Sequence, residues 1–176
     1  MTIRAARVLF AALFIVLFCC ALLNAQQPTK LRISGAGVNP AEFTAADLSH
    51  LPRLSVKVQN SHTKQVEEYS GVRVSDLLAK AGAPLGERLH GHALATYVVA
   101  RASDGYTVVY SLAELDPALN GNEVIVADTM DGKPLDSKQG PFQVIVPSDK
   151  KATRWIRMLS ELEVMNAAGT PGASKP

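Results

Sequence analysis

Leu94-Ala95-Thr96-Tyr97-Val98-Val99-Ala100-Arg101, then Ser103-Asp104-Gly105, then Tyr106-Thr107-Val108-Val109-Tyr110 reads as a β-hairpin. Both arms are rich in β-branched and aromatic residues, and Asp-Gly is a strong turn signal between them. Ser111-Leu112-Ala113-Glu114 follows with the pattern of a capping box, so a short helix should open there. Further on, Asn120-Gly121 breaks the chain, Val124 to Ala127 is an apolar strand, and Asp131-Gly132 turns it. Phe142 to Val146 is another strand after Gly140-Pro141, and Trp155 to Val164 is the last ordered segment expected. On the other side of the hairpin, Val74 to Ala81 reads as a short helix. Gly82 can take its left-handed C′ position, and Pro84 follows as a stop. Leu54, Val56 and Val58 alternate with polar residues, the period of a half-buried strand. Val66 to Tyr69 could pair with it across Asn60 to Lys64. Phe43 to Leu48 is a helical turn capped by Thr44, and Leu31 to Ser34 is a first short strand. Short helices among many strands and hairpins predict an α+β domain with antiparallel or mixed pairing.

Met1 to Ala25 reads as a secretory signal peptide. Arg4 and Arg7 form a positive start, Val8 to Leu23 is unbroken apolar sequence, and Asn24-Ala25 precedes Gln26 as a cleavage site. The apolar run is shorter than the ~20 residues a spanning helix needs. Two alanines separate Arg4 from Arg7, so there is no twin-arginine pair, and export in the unfolded state is expected. Phe18 stands before Cys19 where a lipoprotein signal wants a small residue. Of 18 Lys plus Arg, only Arg4 and Arg7 lie in this segment, so the rest of the chain balances 16 basic against 16 acidic residues. That balance argues against a nucleic-acid partner. Cys19 and Cys20 are the sequence's two cysteines, so the mature chain has no thiol for a disulfide, a metal or a nucleophile. The expected organisation is a signal over 1–25, one domain over 26–165 and a disordered Gly/Ala/Ser/Pro tail over 166–176.

Several stretches, in order, resemble the oxidoreductase molybdopterin-binding domain of the sulfite oxidase superfamily. They are Phe43 to Leu48, Tyr69-Ser70-Gly71-Val72-Arg73 through Leu78, and Ser103-Asp104-Gly105-Tyr106. Met130-Asp131-Gly132-Lys133-Pro134-Leu135, Gly140-Pro141-Phe142-Gln143-Val144-Ile145-Val146-Pro147 and Ala152-Thr153-Arg154-Trp155-Ile156 continue the series. The resemblance implies a sulfite oxidase-like fold of mixed, twisted sheets with short helices. In catalytic members it implies molybdenum on a pterin dithiolene, a cysteine thiolate as a further metal ligand, and oxygen-atom transfer. The ligand cysteine follows the strand that resembles Leu54 to Val58. Here Gln59, Asn60 and Ser61 stand in that place, and neither an amide nor a neutral hydroxyl replaces a thiolate well. Gln143 stands where catalytic members usually have arginine. Arg154-Trp155 matches a basic-aromatic pair near the pterin, with Arg where Lys is usual. The cofactor-facing positions taken from the resemblance and the residues together are Asn60, Ser61, Asp104, Tyr106, Lys151, Arg154 and Trp155.

Each of these has a plainer alternative. Lys150, Lys151, Arg154 and Arg157 could hold a phosphate or another anion, or form a solvated basic face. Asp104-Gly105-Tyr106 could present a carboxylate and a phenol to a pocket, or simply make the turn, with Arg101 pairing Asp104 at the surface. His90 and His92 have the spacing of one strand face, with a metal or only solvent before them. Tyr97, Tyr110 and Trp155 suit core or pocket wall, and Ser61 has no evident base to activate it. The expectation is an exported domain that keeps the fold and an anion-receptive cleft but has lost the molybdenum thiolate site. Its ligand would be a small anion, a pterin remnant or a partner protein, with no membrane role after signal cleavage. The alternative is an oxidoreductase that binds molybdenum-molybdopterin with solvent in place of the thiolate.

Overall fold

The computed structural model describes residues 30–60 and 63–168, so the expected signal, Ser61 and residues 169–176 of the expected tail lie outside the described residues. Among these described residues ten strands form two sheets. The first contains β1 (Leu31–Gly35), β2 (Ala41–Phe43), β5 (Thr96–Ala102), β6 (Thr107–Ser111) and β10 (Leu159–Asn166), in the order β2-β1-β10-β5-β6. β1 runs parallel to β10, and the other pairs are antiparallel. The expected hairpin is β5–β6, with Val98 opposite Tyr110 and Ala100 opposite Val108. Alternation sends Val98, Ala100, Val108 and Tyr110 into the core.

The second sheet joins β3 (Leu54–Gln59), β4 (Val66–Arg73), β7 (Ile125–Met130), β8 (Lys133–Pro134) and β9 (Gln143–Ile145). β3 pairs β4 and β4 pairs β7, while β8 and β9 pair different halves of β7. Around β7 and β9 this sheet is buried on both faces, while Ser55, Lys57 and Gln59 of β3 and both residues of β8 are exposed. Val72, Val126 and Val144 point into the main core shared with the first sheet. Val56, Val58, Tyr69, Ile125, Ala127 and Ile145 form a second apolar cluster on the opposite face. Period-two alternation therefore puts Gln143, two residues before Ile145 and opposite Ala127, on the second cluster's side.

Among the described residues four short α-helices punctuate the strands: α1 (Ala45–Ser49), α2 (Val74–Lys80), α3 (Leu112–Leu115) and α4 (Pro117–Asn120). α1 begins in a complete capping box. The Asp47 amide donates to Thr44 Oγ1 at 3.2 Å, and the Thr44 amide and hydroxyl each donate to Asp47 Oδ2 at 2.7 Å. α2 ends as its sequence predicts: Gly82 has φ +94°, its amide donates to the Ala79 carbonyl, and the Ala83 amide to the Leu78 carbonyl. At α3 the Glu114 amide donates to Ser111 Oγ, but the Glu114 carboxylate also reaches Arg154. α4 is a turn the sequence reading passed over. Pro117 at its start and Gly121 at φ +69° after its end make it legible in retrospect.

The β4–β7 register within the second sheet fixes how closely these strands approach. A Cβ on Gly71 would lie 1.9 Å from the Val126 carbonyl oxygen, at the register shift between Ser70 and Gly71. Backbone cannot yield as a flexible side chain can. Gly71→Ala is therefore expected to cost ~3 kcal/mol or more, read as a lowered urea midpoint. A midpoint within error of the parent's would refute this close packing. The capping box gives a pH prediction. Hydrogen bonds from the Thr44 hydroxyl and then its amide hold the Asp47 carboxyl below its ordinary value of 3.8. A depressed folded-state pKa contributes stability above the ordinary value, and that contribution is lost as pH falls through the folded one. Asp47→Asn should thus lower the melting temperature near neutrality and converge with the parent in acid. Parallel curves across that range would show that the charge contributes nothing.

Candidate functional site

A cleft of about 600 Å³ lies over the second cluster, lined by the ends of β3, β4 and β9 and by the loop leading to β10. Tyr69 and Trp155 form its apolar wall, edge to face, with ring centroids 6.1 Å apart and planes at 83°. The Tyr69 hydroxyl donates to Glu67 Oε2 at 3.0 Å, and Asn60 Nδ2 donates to Glu67 Oε1 at 2.7 Å. Burial, then the neighbouring Glu67 carboxylate, push the Tyr69 phenol well above its usual value, so it stays protonated at physiological pH. Gln139 and Gln143 add two more amides to the lining.

The opposite rim belongs to the segment from Pro147 to Trp155, whose only regular element is a 3₁₀ turn at Ala152–Arg154. Arg154 fixes it from inside. Its Nε and Nη2 donate to the two oxygens of Asp149 at 3.0 and 2.7 Å, and Nη1 donates to Glu114 Oε1 at 2.5 Å. The guanidinium carbon sits 5.4 Å from the centre of the Tyr110 ring. The Asp149 hydrogen bonds, with Glu114 adding to them, raise the Arg154 pKa still further above its normal range. Two backbone carbonyls of the same stretch, and that of Val146 just before it, are also held. Tyr110 Oη donates to the Arg154 carbonyl, Tyr106 Oη to that of Thr153 at 2.7 Å, and Trp155 Nε1 to that of Val146 at 3.0 Å.

This arrangement sorts the charges. Asp149 is neutralised by Arg154, and Glu67 is bonded by Asn60 and Tyr69. Lys150, Lys151 and Arg157 line the cleft with exposed side chains that enter no ion pair or hydrogen bond among the described residues. A concave surface with low-dielectric walls and surplus positive charge concentrates anions.

Of the positions named from the sequence, the cleft gathers Asn60, Lys151 and Trp155, while Ser61 lies outside the described residues. Arg154, Asp104 and Tyr106 do not line it. Arg154 is turned inward to its carboxylates, Tyr106 braces the rim from behind, and Asp104 Oδ1 accepts from the Tyr106 amide at 3.0 Å within the hairpin turn. The expected Arg101–Asp104 pair is replaced. Arg101 Nη2 reaches Glu163 Oε2 at 2.7 Å, because β10 lies alongside β5 and offers the nearer carboxylate. His90 and His92 flank the start of a 3₁₀ turn rather than a strand, and no cluster of three potential metal-ligating His, Cys, Asp or Glu side chains occurs among the described residues. Sequence reasoning missed Glu67, Tyr69 and Gln139. Glu67 and Tyr69 were open to discovery, since they are two apart on β4 and stand opposite Val58 and Val56.

Fold and cleft together define a two-sheet α+β domain with a cationic, amide-lined recess at the end of β3. The chain belongs to the oxidoreductase molybdopterin-binding domain family, whose model matches residues 24–172. Its fold is similar to that of the sulfane dehydrogenase SoxCD from Paracoccus pantotrophus, with a TM-score of 0.59 and 19% identity. That match covers 77% of this chain and 37% of the SoxCD chain. Among curated proteins nothing matches. The family description implies a molybdopterin. No cysteine occurs among the described residues, and the cleft offers neutral amides from Gln59 and Asn60 where a soft, anionic donor would be needed. These residues do not fit as protein ligands to the metal. The cations suit an anion.

Arg154 is expected to act through shape. Its ion pairs are partly solvent-screened, with the side chain 39% exposed, so Arg154→Ala should cost ~1 kcal/mol in urea unfolding. Arg154→Lys, which cannot hold Asp149 with a fork, should recover only part of it. Full stability in the Ala variant would reduce these pairs to surface contacts.

Proposed function

We propose that this chain is exported and serves as a non-redox, ligand-binding member of the molybdopterin-binding domain family, taking a small anion in the cleft. The observation that carries this reading is the exchange of chemistry at one place. The recess at the end of β3 presents Gln59 and Asn60 in place of a thiolate, while Lys150, Lys151 and Arg157 face the same space with no carboxylate of their own. A neutral amide cannot tune a metal's redox level as a thiolate does. Unpaired lysine and arginine, by contrast, form charge-assisted hydrogen bonds to phosphate, sulfate or carboxylate. Export rests on the Arg4/Arg7 start and the apolar run to Leu23. The lack of a twin-arginine pair supports translocation without a preloaded pterin. The fold alone does not decide the activity, since one fold hosts many functions.

Two measurements test this. Protein purified from its native compartment, in a host that makes the cofactor, should contain neither stoichiometric molybdenum by elemental analysis nor pterin fluorescence after oxidation. Both present in equimolar amount would establish the oxidoreductase alternative. Inorganic phosphate or sulfate should raise the melting temperature in a saturable way, as any ligand selective for the folded state must. Replacing Lys150, Lys151 and Arg157 together by Ala should remove that rise. An unchanged rise in the triple variant would place anion binding elsewhere.

A further inference from the structure

Gln143 carries a second message about the cleft. Its side chain is 3% exposed, lies on the lining, and its Oε1 is the buried side-chain polar atom left without a hydrogen-bond partner among the described residues. The orphaned atom is the acceptor oxygen of the amide, so what the site lacks at this point is a hydrogen-bond donor. Buried amides in native folds are almost always bonded, and an exception marks a group awaiting a ligand or an ordered water. The charge pattern around it is graded. The cations Lys150, Lys151 and Arg157 are exposed at the rim, while buried Gln143 is neutral and can both donate and accept. Sulfate answers the rim but only accepts hydrogen bonds, so it brings no donor to the Gln143 Oε1.

The geometry points to small carboxylates or phosphates bearing a primary carboxamide as the ligand class of this cleft, an inference that rests on the anion-binding reading above. The anionic group meets the three cations. The carboxamide meets Gln143 edge to edge, in two parallel N–H···O=C bonds that saturate both amides. Gln143 thereby determines specificity, since a site built around a buried hydrogen-bonding group rejects analogues that cannot pair with it.

Succinamate and levulinate test this on the processed protein. They share length and carboxylate, but levulinate has a methyl group in place of the amide nitrogen. Calorimetric titration should show succinamate binding ~10-fold more tightly, and Gln143→Met should bring the ratio near one. Gln143→Glu, which cannot pair with a carboxamide in the same way, is the second variant should the first fail to fold. Equal binding of the two probes to the parent protein would overturn the inference and assign Gln143 to water. A preference that survives both substitutions would overturn it as well. Inorganic phosphate in the same titrations separates the two failures. If phosphate binds while the probes do not differ, only the carboxamide inference falls. If phosphate also fails to bind, the anion-binding reading falls with it.

Discussion

The cleft depends on the inward-facing guanidinium of Arg154. The stretch from Pro147 to Trp155 has almost no regular backbone ladder, so its shape must come from side chains. Arg154 joins Asp149 on its own segment to Glu114 at the end of the hairpin's helix, while Tyr110 lies against its plane. Tyr106 and Tyr110 then hold the neighbouring carbonyls from the same hairpin. The hairpin, whose two strands are read most readily from the sequence, is thus the buttress for the segment that is read least readily. One basic residue is spent on architecture, which leaves the neighbouring cations free of the nearest carboxylate.

The energetics of the recess follow from that division. An arginine paired at this exposure contributes modestly to stability, and its main effect is geometric. The unpaired cations cost little because they stay in water. The expensive element is Gln143, since leaving a buried amide unpartnered costs on the order of 1–3 kcal/mol. A leucine or methionine on that face of β9, beside Ile145, would avoid the penalty and extend the second apolar cluster. Strain of this kind is characteristic of sites that are completed by something outside the chain. The contrast between cheap rim charges and a costly interior amide separates attraction from discrimination: in the proposed function the first would bring anions in, and the second would choose among them.

How much of this was legible depended on whether the signal was local. Thr44 and Asp47, Ser111 and Glu114, and Gly82 announce their caps within four residues, and the alternation of Leu54, Val56 and Val58 announces a strand. The family resemblance set Gln59 to Ser61 at the place of the family's ligand cysteine and marked Gln143 as a departure, and Gln59, Asn60 and Gln143 line one cleft. Partner choice across the fold was not legible. Whether Arg101 meets Asp104 three residues away or Glu163 on another strand is decided by the β5–β10 register. Whether Arg154 faces a ligand or two carboxylates is decided by where α3 packs. The basic run at 150–157 looked uniform in sequence, yet it divides into one structural cation and three available ones only once Asp149 and Glu114 are in place.

That division also bears on what the family fold permits. A pterin-bound metal asks two different things of a protein: a donor atom for the metal and a cationic surface for the anionic part of the cofactor. On the reading proposed above, the two demands have come apart in this chain. The donor position holds amides, whose oxygen and nitrogen are neutral and hard, while the cationic surface persists and is kept clear of internal pairing by Arg154. Loss of both would leave a scaffold with no recess to explain, and retention of both would make metal chemistry the economical reading. Retention of the anion surface alone, with a neutral buried amide where the family's arginine usually stands, fits a recess in which ion attraction and hydrogen-bond recognition remain while a metal-centred step lacks its protein ligand.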